Sequence, residues 1–334
     1  MCIRDRPPST AGPLPDVPSG VDPVPWLATG ERIPQSMAWE PSGGTGTVCS
    51  FSHMAYDDPI VAPGQPGASH LHMFFGNTET DANSTYESLR TSGNGTCLGG
   101  PLNRSAYWMP AMHNETGQAV IPNSVDVYYT GNGSLEMLQN VTTFPNGLQM
   151  IAGWNEPGQI PDSGWSCNLG PRTETIPSCP EGGTLMVELR FPACWDGKNL
   201  TAPDHRSHTA YGTGGGGWIT QQAGCPETHP VQIPSVKWFA FWTSDGNTDN
   251  WYLASDRMPE MPDQPNGSTF HADWFGAWEN DIQETLVQEC IRETRRCVFG
   301  ELGDGTRLQG RSSTYQGPTL VDPPPGGPAH HGGH

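Results

Sequence analysis

Nine cysteines in 334 residues, none of them in a Cys-x-x-Cys pair, constrain this chain more than any other feature. Cys2 lies in an opening Met-Cys-Ile-Arg-Asp-Arg run unlike the rest of the chain, and setting it aside leaves Cys49, Cys97, Cys167, Cys179, Cys194, Cys225, Cys290 and Cys297. An even, widely spaced set reads as four disulfides rather than a thiolate metal site. Cys290 with Cys297 and Cys167 with Cys179 are the simplest local pairs; Cys194 with Cys225 and Cys49 with Cys97 complete one set. Disulfides of this kind need an oxidising compartment, so a secreted, extracellular protein is expected. Pro7 to Pro25 contains no apolar h-region, and the signal peptide is expected to be missing from this sequence.

A fold held by such links needs many turns, and the chain supplies 42 Gly and 34 Pro with few charged residues. That composition favours an all-β or β-rich α+β fold over long helices. Ser124 to Thr130 alternates Val125, Val127 and Tyr129 against Asp126 and Tyr128, the period of a half-buried strand. Further strands are expected at Gly147–Ala152, Thr184–Phe191 and Ser235–Thr243, and a strand pattern around a Gly-Gly-Thr-Gly turn at Ser36–Met54. Ser84-Thr-Tyr-Glu87 has the form of a capping box opening a short helix. From Asn280 to Arg296, Ile282, Leu286, Val287, Cys290 and Ile291 recur at helical spacing.

The expectation is a single disulfide-stapled, β-sandwich-like domain over residues 36–315 with one C-terminal helix. Residues 1–35 read as a Pro/Gly-rich disordered linker whose first six residues are spurious, and 316–334 as a disordered Gly/Pro/His tail.

The formal charge of -19 and the lack of a basic run argue against a nucleic-acid partner. No apolar stretch reaches the roughly 20 residues of a spanning helix, so no membrane insertion is expected, and the protein is expected to be a monomer. Gly-x-Ser-x-Gly, His-Glu-x-x-His and phosphate-binding glycine loops are missing, which removes serine esterase, zincin and nucleotide-enzyme readings.

Four segments carry the polar chemistry. His70-Leu-His72 follows Asp57, Asp58 and the loop Pro63-Gly-Gln-Pro-Gly67. If Ser69–Phe75 is extended, both imidazoles share one face and Leu71 and Met73 the other, so the pair can ligate one metal or divide acid/base and orienting roles. The loop after the Thr184–Phe191 strand holds Asp196, Lys198, Asp204, His205, Arg206, His208 and Tyr211. His229 is fixed before Pro230. His271-Ala-Asp273, followed by Trp274, places a His and an Asp on one face. A divalent metal requires several of these groups to converge, with His70, His72 and His271 as its ligand set. Against this stands ordinary packing: histidines that pin loops, and Trp108, Trp195, Trp218, Trp238, Trp242, Trp274 and Trp278 as core rather than sugar-stacking platforms.

Ser69-His-Leu-His-Met-Phe-Phe-Gly-Asn77, Arg104-Ser-Ala-Tyr-Trp-Met-Pro-Ala111, the Trp-Asp-Gly and Asp-His-Arg-Ser-His runs of Phe191–Tyr211, Cys225-Pro-x-Thr-His-Pro230 and His271-Ala-Asp-Trp-Phe275 occur in one order. Together they resemble the family catalogued as domain of unknown function 1996, over roughly residues 36–300. The resemblance implies an extracellular location and association with carbohydrate-binding or cell-wall modules. His70, His72, His208, His229 and His271 fall in the matching motifs, whereas His53 and His113 do not.

The expected function is action on extracellular or cell-wall polysaccharide by a hydrolase or lyase. His70, His72, His208, His271 and Asp273 are its catalytic candidates; Asp196, Lys198, Arg206, Tyr211, His229 and Trp274 its substrate-binding ones. The alternatives are a non-catalytic glycan- or wall-binding module and a His-ligated metal-dependent enzyme.

Overall fold

The computed structural model describes residues 12–35, 43–131, 133–154, 163–213, 224–261, 264–310, 315, 317 and 319–326. Trp218 and the terminal histidines lie outside them, as do the first six residues. In chain order the main strands are β1 (Gly43–Cys49), β2 (Phe51–Ala55), β3 (His72–Gly76), β4 (Ala106–Pro110), β5 (Ser124–Gly131), β6 (Gln149–Gly153), β7 (Gly164–Cys167), β8 (Thr184–Arg190), β9 (Ser235–Thr243) and β10 (His271–Phe275). They build two five-stranded antiparallel sheets, one in the order β7-β8-β9-β5-β1 and the other β2-β3-β4-β10-β6.

Alternation along each strand sends one set of side chains into a shared core. Val125, Val127, Trp238 and Leu185 from the first sheet meet Met73, Phe75, Tyr107 and Trp274 from the second. Phe75 lies edge-on to Trp238 with 5.8 Å between ring centroids, and Tyr107 stands 6.0 Å from the same indole. The outer face of the second sheet has its own smaller cluster around Phe74, Trp108, Ile151 and Phe275. The β-rich sandwich expected from composition is therefore the architecture of the protein.

The two local disulfides read from spacing, Cys167–Cys179 and Cys290–Cys297, are present, and the remaining four cysteines pair as Cys49–Cys97 and Cys194–Cys225. Cys49–Cys97 sits where the chain leaves β1 in one sheet for β2 in the other. It closes 48 residues, worth about 4 kcal/mol in lost chain entropy of the unfolded state. Four disulfides, with no helix among the described residues long and apolar enough to cross a membrane, are compatible with an extracellular protein.

Several local expectations are corrected. Gly43-Gly-Thr-Gly46 is no turn: it runs within β1, paired along β5. These glycines let other elements approach, since a Cβ at Gly43 would stand 2.3 Å from the carbonyl oxygen of Cys290, and one at Gly46 2.7 Å from the Phe299 ring. The short helix α1 (Tyr86–Thr91) is capped by Thr85 and Ser88, one residue later than the box read from Ser84 and Glu87. The C-terminal helix is α-helical over Asn280–Thr285 and continues as a π-helix over Leu286–Arg292. It stops before Arg296 because Thr294 turns left-handed (φ 52°), with Arg295 N donating to the Cys290 carbonyl.

Residues 12–35, read as a linker, lie along the domain. Leu14, Val17 and Trp26 pack against its two clusters, and Leu27–Thr29 pairs with Thr306–Leu308. Arg90, 2% exposed, anchors this segment by donating to the Val17 carbonyl (3.1 Å) and to Trp278 O and Glu279 Oε2. In the C-terminal segment, Leu320–Val321 adds a short strand beside Ala119–Val120. A disordered reading missed both because their partners are distant in sequence.

Candidate metal centre

The site lies on the outer face of the second sheet. In β3, Met73 and Phe75 enter the inter-sheet core, so His72 and Phe74 face outward; in β10, Ala272 and Trp274 enter it, leaving His271, Asp273 and Phe275 outside. β4 runs between them, with Pro110 opposite His72 and Trp108 opposite Asp273. The two outward histidines thereby flank one narrow strand.

His70, just before β3, joins them: its ring centroid is 4.2 Å from that of His72 and 5.2 Å from that of His271, and His72 and His271 are 6.0 Å apart. One ring nitrogen from each lies within 4.8 Å of the others.

Hydrogen bonds set how these rings present themselves. His72 Nδ1 is 2.9 Å from the Asp57 carbonyl and His271 Nδ1 is 2.9 Å from the Thr269 carbonyl. A carbonyl only accepts, so each Nδ1 carries the proton and each Nε2 keeps a lone pair. The Nε2 atoms of His70 and His72 are buried without a hydrogen-bond partner.

Asp57 supports the arrangement from behind. Its carboxylate accepts from the backbone N–H of Gly67 and of Ala82, at 2.8 and 3.1 Å, while its carbonyl holds His72. Asp58 accepts from the N–H groups of Ile60 and Val61, both at 2.8 Å. The Pro63–Gly67 loop, with Gly64 and Gly67 in positive φ, is entered through the turn that Asp58 closes and tied at Gly67 by Asp57.

Burial dominates the electrostatics. It pushes His72 down to about 4 and, with the neighbouring His72, His271 down to about 3; His70 is also held well below its ordinary value. Burial and the nearby Asp58 raise Asp273 well above the carboxylate range, and neither of its oxygens has a hydrogen-bond partner. Asp58 is itself raised by burial, against its two backbone donors. Burial thus favours the neutral form of all three imidazoles, and one ring nitrogen from each converges on a common point. Neutral imidazole is a ligand for zinc, copper, iron or nickel, and Nδ1–H donation to a carbonyl is the usual outer-shell support for such ligands.

A cavity of ≈ 620 Å³ opens onto the cluster. Tyr56, Trp154, His205, Arg206, Tyr252 and Arg257 are among its walls. Arg206 is oriented by donation to Ile151 O (3.2 Å) and Trp154 O (2.9 Å), and the Arg257 guanidinium lies 5.0 Å from the Tyr252 ring centre.

Of the site residues proposed from sequence, His70, His271, Asp273 and Arg206 line this cavity, and the His72 ring centroid lies 4.2 Å from that of His70. The others do not line it. His208 binds the Gln149 carbonyl at 2.7 Å, and His229 is held by Thr228 and the Ser207 carbonyl. Asp196 caps its own turn through the N–H groups of Lys198 and Asn199, and Tyr211 donates to the Arg190 carbonyl. Trp274 is in the inter-sheet core because it alternates with His271 and Asp273. His113 lies outside the motifs, yet it lines the cavity, stacked on Tyr252 at 5.2 Å. Nothing local marks His113, Trp154 or Tyr252 as cavity residues; the period-two pattern of His271-Ala-Asp-Trp alone would have moved Trp274 to the core.

The family model described as domain of unknown function (DUF1996) matches residues 58–278, more than half of the chain. The chain belongs to that family. No curated protein and no solved structure gives a significant match.

Proposed function

We propose that the protein is a secreted metal-dependent enzyme, a hydrolase or lyase acting on extracellular saccharide, with one divalent ion held by His70, His72 and His271. The observation that carries this reading is the convergence of three buried imidazoles, two of which, His70 and His271, line a ≈ 620 Å³ cavity. Such an ion supplies Lewis acidity and lowers the pKa of a coordinated water. Asp57 holds the His72 ring, and Asp273 and Asp58 provide negative charge that metal binding would draw out. Arg206 and the aromatic walls suit a polyhydroxylated ligand, combining hydrogen-bond donors with ring faces.

A purely glycan-binding surface built on tryptophan has less support. Among the described residues Trp108, Trp165, Trp238, Trp242, Trp251 and Trp274 are fully buried, and Trp154 is the tryptophan that lines the cavity.

The test is elemental analysis of protein whose tail histidines His330, His331 and His334 are replaced by alanine, followed by a polysaccharide-cleavage screen with and without chelator. Close to one metal per chain, lost in His72→Ala, and chelator-sensitive cleavage are expected. Metal-free protein that cleaves saccharide would defeat the proposal.

A further inference from the structure

We infer that His205 is the proton-transfer residue of this centre, lining the same cavity as His70 and His271 and exchanging a proton with a water or substrate hydroxyl held in it. This role rests on the metal reading and goes beyond it by assigning the second half of the site.

His205 reaches the cavity from a different element, the loop between the short strands Cys194–Trp195 and Thr209–Ala210. Its backbone is in the left-handed region at φ 59°, which a residue with a Cβ disfavours and which functional sites hold by over-determining the surroundings. The surroundings do so here. His205 N donates to Ala202 O at 2.8 Å, and the Asp204 carboxylate accepts from Arg206 N, Ser207 N and the Ser207 hydroxyl at 3.1, 2.9 and 2.9 Å.

Glycine or asparagine would meet the needs of this turn with less strain, so the turn does not explain an imidazole. Its Nδ1 is buried and has no hydrogen-bond partner. Three other titratable groups on the cavity wall are engaged, Asp58 by two backbone amides, Asp204 by its turn, and His113 by Tyr252 and the Gly117 carbonyl, whereas Asp273 lies on the strand of His271 with no hydrogen-bond partner.

The charges acting on His205 are Asp58 and Asp204, which favour its protonated form, and Arg206, which opposes it; burial lowers its pKa overall. In the step itself an O–H bond of the water or hydroxyl breaks, its electron pair stays on oxygen, and the proton goes to an imidazole nitrogen of His205. In hydrolysis the resulting hydroxide forms a bond to the saccharide carbon, the C–O bond to the leaving oxygen breaks with its electron pair on that oxygen, and His205 returns the proton to it.

The experiment uses the full chain with His330, His331 and His334 replaced by alanine, loaded with cobalt(II), alone and carrying His205→Asn or His205→Gly. Cobalt stoichiometry and the pH midpoint of the visible absorption bands are measured. Equal cobalt binding in all three proteins is expected, with the midpoint moved by about half a pH unit or more in both variants. Equal binding with an unchanged midpoint overturns the role of His205 and leaves the metal centre standing. Loss of cobalt from the variants overturns it too, by making His205 a ligand. A parent that binds no cobalt overturns the centre and this inference together.

Discussion

The imidazoles of His72 and His271 stand 6.0 Å apart, centroid to centroid, on opposite sides of the strand that separates their own. Each is fixed from behind by a backbone carbonyl, Asp57 for one and Thr269 for the other. Their inward nitrogens therefore need no reorganisation to receive a cation.

That pre-set geometry makes metal binding a stabilising event. Zinc at one hundred times its dissociation constant would add about 2.7 kcal/mol to the folded state. A rise in Tm is expected for protein lacking the tail histidines and none for His72→Ala. Differential scanning fluorimetry against zinc concentration checks it.

Asp273 gives a pH signature in metal-free protein. Its folded pKa is raised, so its contribution to stability is complete below the unfolded value and is lost as pH rises toward the folded one. His72 and His271 act oppositely: lowered to about 4 and about 3, they cost stability as pH falls from about 6.5. Asp273→Asn removes only the first effect. The variant is expected to exceed wild type at pH 7 and to lose stability more steeply between pH 6.5 and 4, with each histidine contributing at most about 1.4 kcal/mol per pH unit. Urea unfolding across that range decides it, and equal stability at pH 7 would contradict the placement of an unpartnered buried carboxyl.

Trp274 separates core from site. Trp274→Ala is expected to cost about 3–5 kcal/mol through the cavity it leaves between the sheets. Trp274→Phe should keep metal stoichiometry at the wild-type level, read by elemental analysis beside the unfolding curve.

His208 and His229 are expected to behave as structural residues. His208→Ala leaves the Gln149 carbonyl without its imidazole partner and should cost about 1–3 kcal/mol. His229→Ala, at a half-buried position on the surface, should change stability by less than about 1 kcal/mol. Both should retain full metal content; its loss in either would enlarge the ligand set.

The β9 range Ser235–Thr243 and the alternation of Val125, Val127 and Tyr129 were readable because a strand's burial pattern is written locally at period two. The same logic placed His70 and His72 on one face. It did not extend to Gly43–Gly46, whose glycines answer to Cys290 and Phe299 far along the chain, nor to residues 12–35, whose partners include Arg90 and Thr306–Leu308.

Oxidising chemistry, a β-rich class and a set of polar motifs come from composition and spacing, since cysteine number, turn residues and side-chain period are properties of neighbouring residues. Which of those motifs meet is a matter of strand order. β4 between β3 and β10 brings His70 and His72 to His271, while backbone carbonyls claim His208 and His229 elsewhere. Only long-range pairing sets that order, and the register it imposes put His271 outside and Trp274 within.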